Sequence, residues 1–174
     1  MTFREMLDMQ PLPFKWLDEE RATFLMDEVE YGIHAEYLDL KISNNVYDVA
    51  NISFGRIKDK KFTKAEDIDT SITNFGKPRT VLTTVSDACL ANKEIINCDL
   101  ICIAAADQAK EKRLNIYSIT ISEIRNKVKS FEKIKDIYVK TKTGTGIIIL
   151  SKIEFSKEEQ QEISEIGDQQ AMSR

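Results

Sequence analysis

Leu100-Ile101-Cys102-Ile103-Ala104 is an unbroken apolar run, with Asp99 before it and Asp107 soon after. A strand exposed on one face alternates apolar and polar residues, whereas a strand buried on both faces reads as continuous apolar sequence. Such a strand needs neighbours on either side and cover above and below. The predicted architecture is therefore α/β (α+β), with a mixed, largely antiparallel sheet of about six strands. Helices at Pro78–Lys93 and Asp107–Lys129 are expected to supply the packing. Val81, Leu82, Val85, Ala88 and Cys89 fall at helical spacing in the first, and Leu114, Tyr117, Ile121, Ile124 and Val128 in the second.

The remaining elements follow from local pattern. Asp18 is placed to cap a helix over Glu19–Glu30, with an apolar stripe at Ala22, Leu25, Met26 and Val29 and Gly32 as its end. Tyr37, Leu38, Leu40 and Ile42 begin an extended region. Asn44-Asn45 is a turn signal. Val46–Ile57 reads as a second strand, and a shift in its alternation near Ala50 suggests a bulge. Lys58–Asp67 is a charged loop, and Ile68–Asn74 a third strand of an antiparallel meander. Ile134–Thr141 and Gly146–Ile153 form a hairpin. The predicted core is Val49, Ile52, Phe54, Ile72, Val81, Leu82, Val85, Leu100, Ile101, Ile103, Leu114, Ile121, Ile137, Val139, Ile147 and Ile149.

One domain over residues 18–155 accounts for this, between an N-terminal arm (1–17) and a polar tail (156–174) read as a marginal helix or disorder. In the arm, Pro11 and Pro13 oppose helix, apart from a short one at Phe3–Met9. Leu12, Phe14 and Trp16 are costly to leave in water. They either fold back on their own sheet edge or anchor the arm on a neighbouring subunit or foreign partner, which makes them the predicted partner-binding residues.

The 174 residues include 42% hydrophobic side chains, enough for one core, and carry a net charge of −4, which disfavours general nucleic-acid coating. Cys89, Cys98 and Cys102 are an odd number without paired-ligand spacing, and no signal peptide or run of about 18 apolar residues is visible. A reducing, cytoplasmic setting without a membrane span is expected.

Candidate chemistry concentrates at one junction. In Ser71–Val81 a strand ends and a helix begins, with Gly76, Lys77, Pro78 and Arg79 at the changeover. Unpaired N–H groups at such a helix start attract anions, and the alternative is a well-capped helix. Lys110, Lys112, Arg113, Arg125, Lys127 and Lys129 spread positive charge along the second helix. Arg113 is grouped with Gly76, Lys77 and Arg79 as a predicted anion or cofactor patch, against plain solvation. His34, the single histidine, lies in a helix-to-strand connection and reads as an ordinary loop residue. Cys98 and Cys102 are about 13 Å apart if both lie along one strand, too far for one zinc ion unless the strand starts after Cys98. The acidic front segment (Asp18, Glu19, Glu20, Asp27, Glu28, Glu30) and the loop lysines (Lys58, Lys60, Lys61, Lys64) read as solvated charge. No metal site is expected.

The order of elements over roughly Glu36–Ile153 resembles the GNAT superfamily of N-acyltransferases. Their fourth strand leads into a pyrophosphate loop of pattern Gln/Arg-x-x-Gly-x-Gly/Ala. In Thr73-Asn74-Phe75-Gly76-Lys77-Pro78 the first glycine is matched by Gly76, while Thr73 and Pro78 depart from the pattern. The resemblance implies acetyl-CoA bound at Gly76 and Tyr117 as the acid toward the leaving thiolate; residue pattern alone gives Tyr117 a core place. The block Ser71–Leu150 is also similar to small tailed-bacteriophage proteins, through Val81-Leu82-Thr83-Thr84-Val85, Ile101–Ala106 and Lys112-Arg113-Leu114-Asn115-Ile116-Tyr117. That likeness implies a viral accessory or virion protein in the host cytoplasm or the particle. The expectation is a non-catalytic protein, without cofactor, acting through protein contacts or self-association. The alternatives are an acetyl-CoA-dependent N-acyltransferase and a nucleic-acid-binding accessory protein.

Overall fold

The computed structural model describes residues 10–69, 77–105, 122–133, 139–140, 146–163 and 165. Its strands are β1 (Phe14–Trp16), β2 (Arg21–Met26), β3 (Val29–Ile42), β4 (Asn45–Ile57), β5 (Ile68–Asp69), β6 (Leu100–Ala105), β7 (Glu132–Lys133), β8 (Val139–Lys140) and β9 (Gly146–Ser151). The α-helices among the described residues are α1 (Pro78–Leu90), α2 (Lys93–Asn97), α3 (residues 122–127) and α4 (residues 157–163 and 165). The sheet order is β1-β2-β3-β4-β6-β9-β7, with β5 beside β4 and β8 beside β9. Among the described residues only β4 and β6 run parallel. The fold is α+β, a mixed and mostly antiparallel sheet packed by a few helices, as the sequence predicts.

The apolar run at Leu100 occupies the expected place. Leu100, Ile101 and Ile103 are buried, and they divide between two faces. Ile101 and Ile103 join the main core with Ala22, Phe24, Ile33, Ala35, Ile52, Phe54 and the apolar side of α1. Leu100 joins a second cluster on the opposite face with Ile42, Val49, Ile149, Phe155 and Ile163. Of the predicted core, Val49, Ile52, Phe54, Val81, Leu82, Val85, Leu100, Ile101, Ile103 and Ile149 are buried. The side chains of Ile72, Leu114, Ile121, Ile137, Val139 and Ile147 lie outside the described residues.

The expected helix at Glu19–Glu30 is instead the β2–β3 hairpin. Ala22, Phe24 and Met26 point into the core, so the operative period is two. The helical spacing of Ala22, Leu25, Met26 and Val29 is coincidental: Leu25 is exposed. Phe24 and Tyr31, cross-strand partners, stack with centroids 5.2 Å apart and planes 8° off parallel. Such pairing outweighs the helix preference of the acidic residues. Asp18 does cap, but it caps a turn: Oδ1 accepts from the N–H groups of Glu20 (2.9 Å) and Arg21 (2.8 Å). The same chemistry serves a helix start and an Asx turn. Asp27 and Glu28 close the hairpin with φ of 50° and 66°.

Gly32 therefore ends nothing; it sits inside β3 opposite Gly55. A Cβ there would stand 2.9 Å from Cε2 of Phe62, which lies over the strand. The next turn is Ser43-Asn44, with φ of 49° and 69°, one residue earlier than expected. β4 carries no bulge at Ala50, since its pairing with β3 is unbroken from Tyr31↔Arg56 to Ile42↔Asn45. The alternation shifts because both faces are covered: Val49 enters the second cluster and Ala50 the main core.

Both ends of the described chain belong to the domain. β1 is an outer strand, and Leu12, Phe14 and Trp16 pack on the main core. The Leu12 N–H donates to Thr84 Oγ1 (2.8 Å) and Trp16 Nε1 to the Ala88 carbonyl (2.9 Å), tying the arm to α1. Phe155, two residues before α4, and Ile163, within it, are buried in the second cluster.

Candidate functional site

The predicted anion site is described at two of its four positions. Pro78 opens α1 as expected, and Lys77 at its N-cap offers no side-chain hydrogen bond to the helix. Lys77 and Arg79 are exposed. Lys77 Nζ lies 3.9 Å from Asp27 Oδ1, both side chains being largely in solvent. A surface pair of this kind is weak. Gly76, Arg113 and Tyr117 lie outside the described residues, as does most of the helix predicted over Asp107–Lys129.

The predicted partner anchors Leu12, Phe14 and Trp16 are half-buried against the chain's own core. This is the fold-back arrangement, and it positions α1 against the sheet.

The thiols are poor nucleophiles. Burial pushes Cys89 and Cys102 up to about 12 and Cys98 up to about 11. Cys98 Sγ donates to the Glu94 carbonyl at 3.2 Å. His34 is in β3 rather than a loop, opposite Ser53, with its ring edge-on to Phe62 at 6.5 Å. Among the described residues no group of histidines, cysteines and carboxylates is arranged to hold a metal ion. No described helix is long and apolar enough to cross a membrane.

A cleft of about 280 Å³ opens at the turn end of the β3–β4 hairpin, beside α2. Tyr37, Leu38, Asp39, Asp48, Glu94 and Asn97 are among its lining residues. Local rules build it. Asn92 caps α2, its side chain accepting from the N–H groups of Glu94 and Ile95, which sets Glu94 on the rim. Asp48 N–H donates to Asp99 Oδ2 and Asp99 N–H to the Asp48 carbonyl, each at 2.9 Å, locking β4 to the entry of β6. Tyr37 O–H donates to the Glu19 carbonyl at 2.8 Å, and burial raises its ionisation far above the usual phenol range. The phenol is a fixed wall rather than an acid.

Two features of this end are unusual for a free surface. Asp39 and Asp48 are direct cross-strand partners, an unfavourable pairing of like charges. Val46, two residues from Asp48, is 63% exposed, and Leu38 on the cleft is 36% exposed. Sequence reading missed the pair, although each aspartate stands the same distance from Ser43-Asn44. The misplaced turn hid it. Comparison with protein-family models, with curated proteins and with solved structures finds no match.

Proposed function

We propose that this chain is a non-catalytic binding protein acting through protein–protein contacts, an accessory role of the kind implied by the bacteriophage resemblance. The turn end of the β3–β4 hairpin is the surface it presents. The observation that carries this reading is the exposed Leu38 on a cleft rimmed by Asp39, Asp48 and Glu94, with exposed Val46 two residues from Asp48 on β4. An apolar side chain left in water and two opposed carboxylates are both relieved by one neighbour. That neighbour brings an apolar contact and a lysine or arginine. The geometry fits a basic, partly apolar protein segment.

The test has two parts. Proteins retained from host extract by the immobilised full chain are identified, and the purified candidate is titrated by calorimetry. Asp48→Lys should weaken binding by about tenfold or more, since a desolvated charge pair becomes a repulsion. Unchanged affinity for Asp48→Lys and for Val46→Glu overturns the assignment of the surface. In the second part, acetyl-CoA is titrated. Micromolar binding that is lost when Gly76 is replaced by a bulky residue replaces this reading with the N-acyltransferase one. Binding of nucleic acid that falls steeply with salt replaces it with the nucleic-acid reading.

A further inference from the structure

Helix α4 covers one face of the sheet in a way unlike any other described helix. Its hydrogen bonds are nearly all its own. Ser156 and Glu159 form a reciprocal capping box, N–H to side chain in both directions, at 3.1 and 3.2 Å. Gln160 bonds back to Phe155 and Ser156. Among the described residues the one polar tie from α4 to the body runs from Glu162 to Ser43, through N–H (3.3 Å) and Oγ (3.2 Å), at an exposed turn. The docking is otherwise apolar: Phe155 and Ile163 seat on Ile42, Val49, Leu100 and Ile149, with Tyr47 edge-on to Phe155 at 5.3 Å. These residues form a cluster separate from the main core, on the opposite face of the sheet.

We infer that residues 155–163 are a detachable cover, which undocks as a unit while the sheet and main core stay folded, and so opens an apolar groove over Ile42, Val49, Leu100 and Ile149. The reasoning is that cooperative units separate where few contacts cross between them. Among the described residues the buried apolar side chains that cross are Phe155 and Ile163, joined by one exposed polar tie. The groove lies behind the same hairpin whose turn carries Val46. This inference does not depend on the proposed function.

Hydrogen exchange on the full chain, read by mass spectrometry, tests it. Amides of residues 157–163 should exchange together, at least about 100-fold faster than those of β4 and β6. Phe155→Ala should accelerate them about tenfold more, leave β4 and β6 within about twofold, and raise binding of the apolar dye anilinonaphthalene sulfonate. Ser156→Ala, which alters only the exposed cap, should accelerate the helix amides alone. Exchange of α4 in step with β4 and β6 overturns the inference. So does a Phe155→Ala protein that loses its core protection, because α4 then belongs to the cooperative core.

Discussion

Replacing Gly55 by alanine should destabilise the fold, although alanine is ordinarily the better strand residue. In a strand interior the exchange gains about 0.5–1 kcal/mol by reducing the freedom of the unfolded chain. At Gly55 the added Cβ meets the backbone of β5: the Asp69 carbonyl oxygen first, then its carbon at 2.8 Å, with Ile68 Cγ2 also at 2.8 Å. Backbone cannot rotate away, so β5 must shift. The shift endangers both paired positions between β4 and β5 and the cover over Ile68, which is 3% exposed. Overpacking of this kind costs about 1–3 kcal/mol, and loosening a hydrogen bond about 1 kcal/mol more. The net expectation is a loss of about 2 kcal/mol after the chain-entropy gain is subtracted. Gly32 is the control. There the nearest atom is the ring edge of Phe62, at 2.9 Å, and a ring can turn. Its steric cost of about 1 kcal/mol roughly cancels the gain. Urea unfolding followed by circular dichroism reads the difference. With a slope of about 2 kcal/mol per molar, Gly55→Ala lowers the midpoint by about 1 M and Gly32→Ala by less than about 0.5 M. A Gly55→Ala protein as stable as the parent, or a larger loss at Gly32, would refute the reasoning.

Three further outcomes are expected. Trp16→Phe keeps an aromatic ring but removes the indole donor to the Ala88 carbonyl, so it should cost about 1 kcal/mol or more in urea unfolding; a change under about 0.3 kcal/mol contradicts the latch between arm and α1. Stability should fall above about pH 9, because the unfolded chain ionises its thiols there while burial holds Cys89, Cys98 and Cys102 protonated up to about 12, 11 and 12. The thiol share is fully present below that range and is lost as pH rises through it, so Cys98→Ala should flatten the decline and an identical slope would exclude the thiols. At acid pH the opposite sign holds for Asp18, whose carboxyl is held low by the Arg21 side chain and by the N–H groups of Glu20 and Arg21. Its contribution is present above the ordinary carboxylate range and lost as pH falls below it, so Asp18→Asn should unfold with a shallower acid limb.

The parts of the fold that could be read from the sequence are those whose pattern has one physical explanation. A continuous apolar run bounded by aspartates admits little but a doubly covered strand, and Leu100–Ala105 is one. Pro78 followed by a 3.6-residue stripe admits little but a helix. Ala22–Val29 admits two explanations, because four apolar positions satisfied the helical period while Ala22, Phe24 and Met26 satisfied the strand period. Only the stacking of Phe24 on Tyr31, a tertiary contact, decides between them. The turn at Ser43-Asn44 shows how a small error spreads. Moving it one residue along shifts every cross-strand partner by two, which preserves the face of each side chain. Val49, Ile52 and Phe54 keep their core faces under either turn, while a turn at Asn44-Asn45 would set Asp39 opposite Ala50 rather than opposite Asp48, its partner in the structure. The α4 cap was written in the chain as Ser156-Lys157-Glu158-Glu159. A polar composition concealed that Phe155 and Ile163 would anchor it.

The parallel pairing of β4 with β6 bears on the order in which the chain assembles. β2, β3 and β4 meet through two-residue turns, so their ladders close with little loss of chain entropy and can form in microseconds. β6 reaches β4 only after the whole of residues 50–99 has been gathered, when Leu100 settles beside Val49. That closure is the expensive step, and it also brings β9 its partner. Conservative truncation of Val49 or Leu100 should therefore slow refolding. Truncation of Phe14 in the outer strand should mainly hasten unfolding.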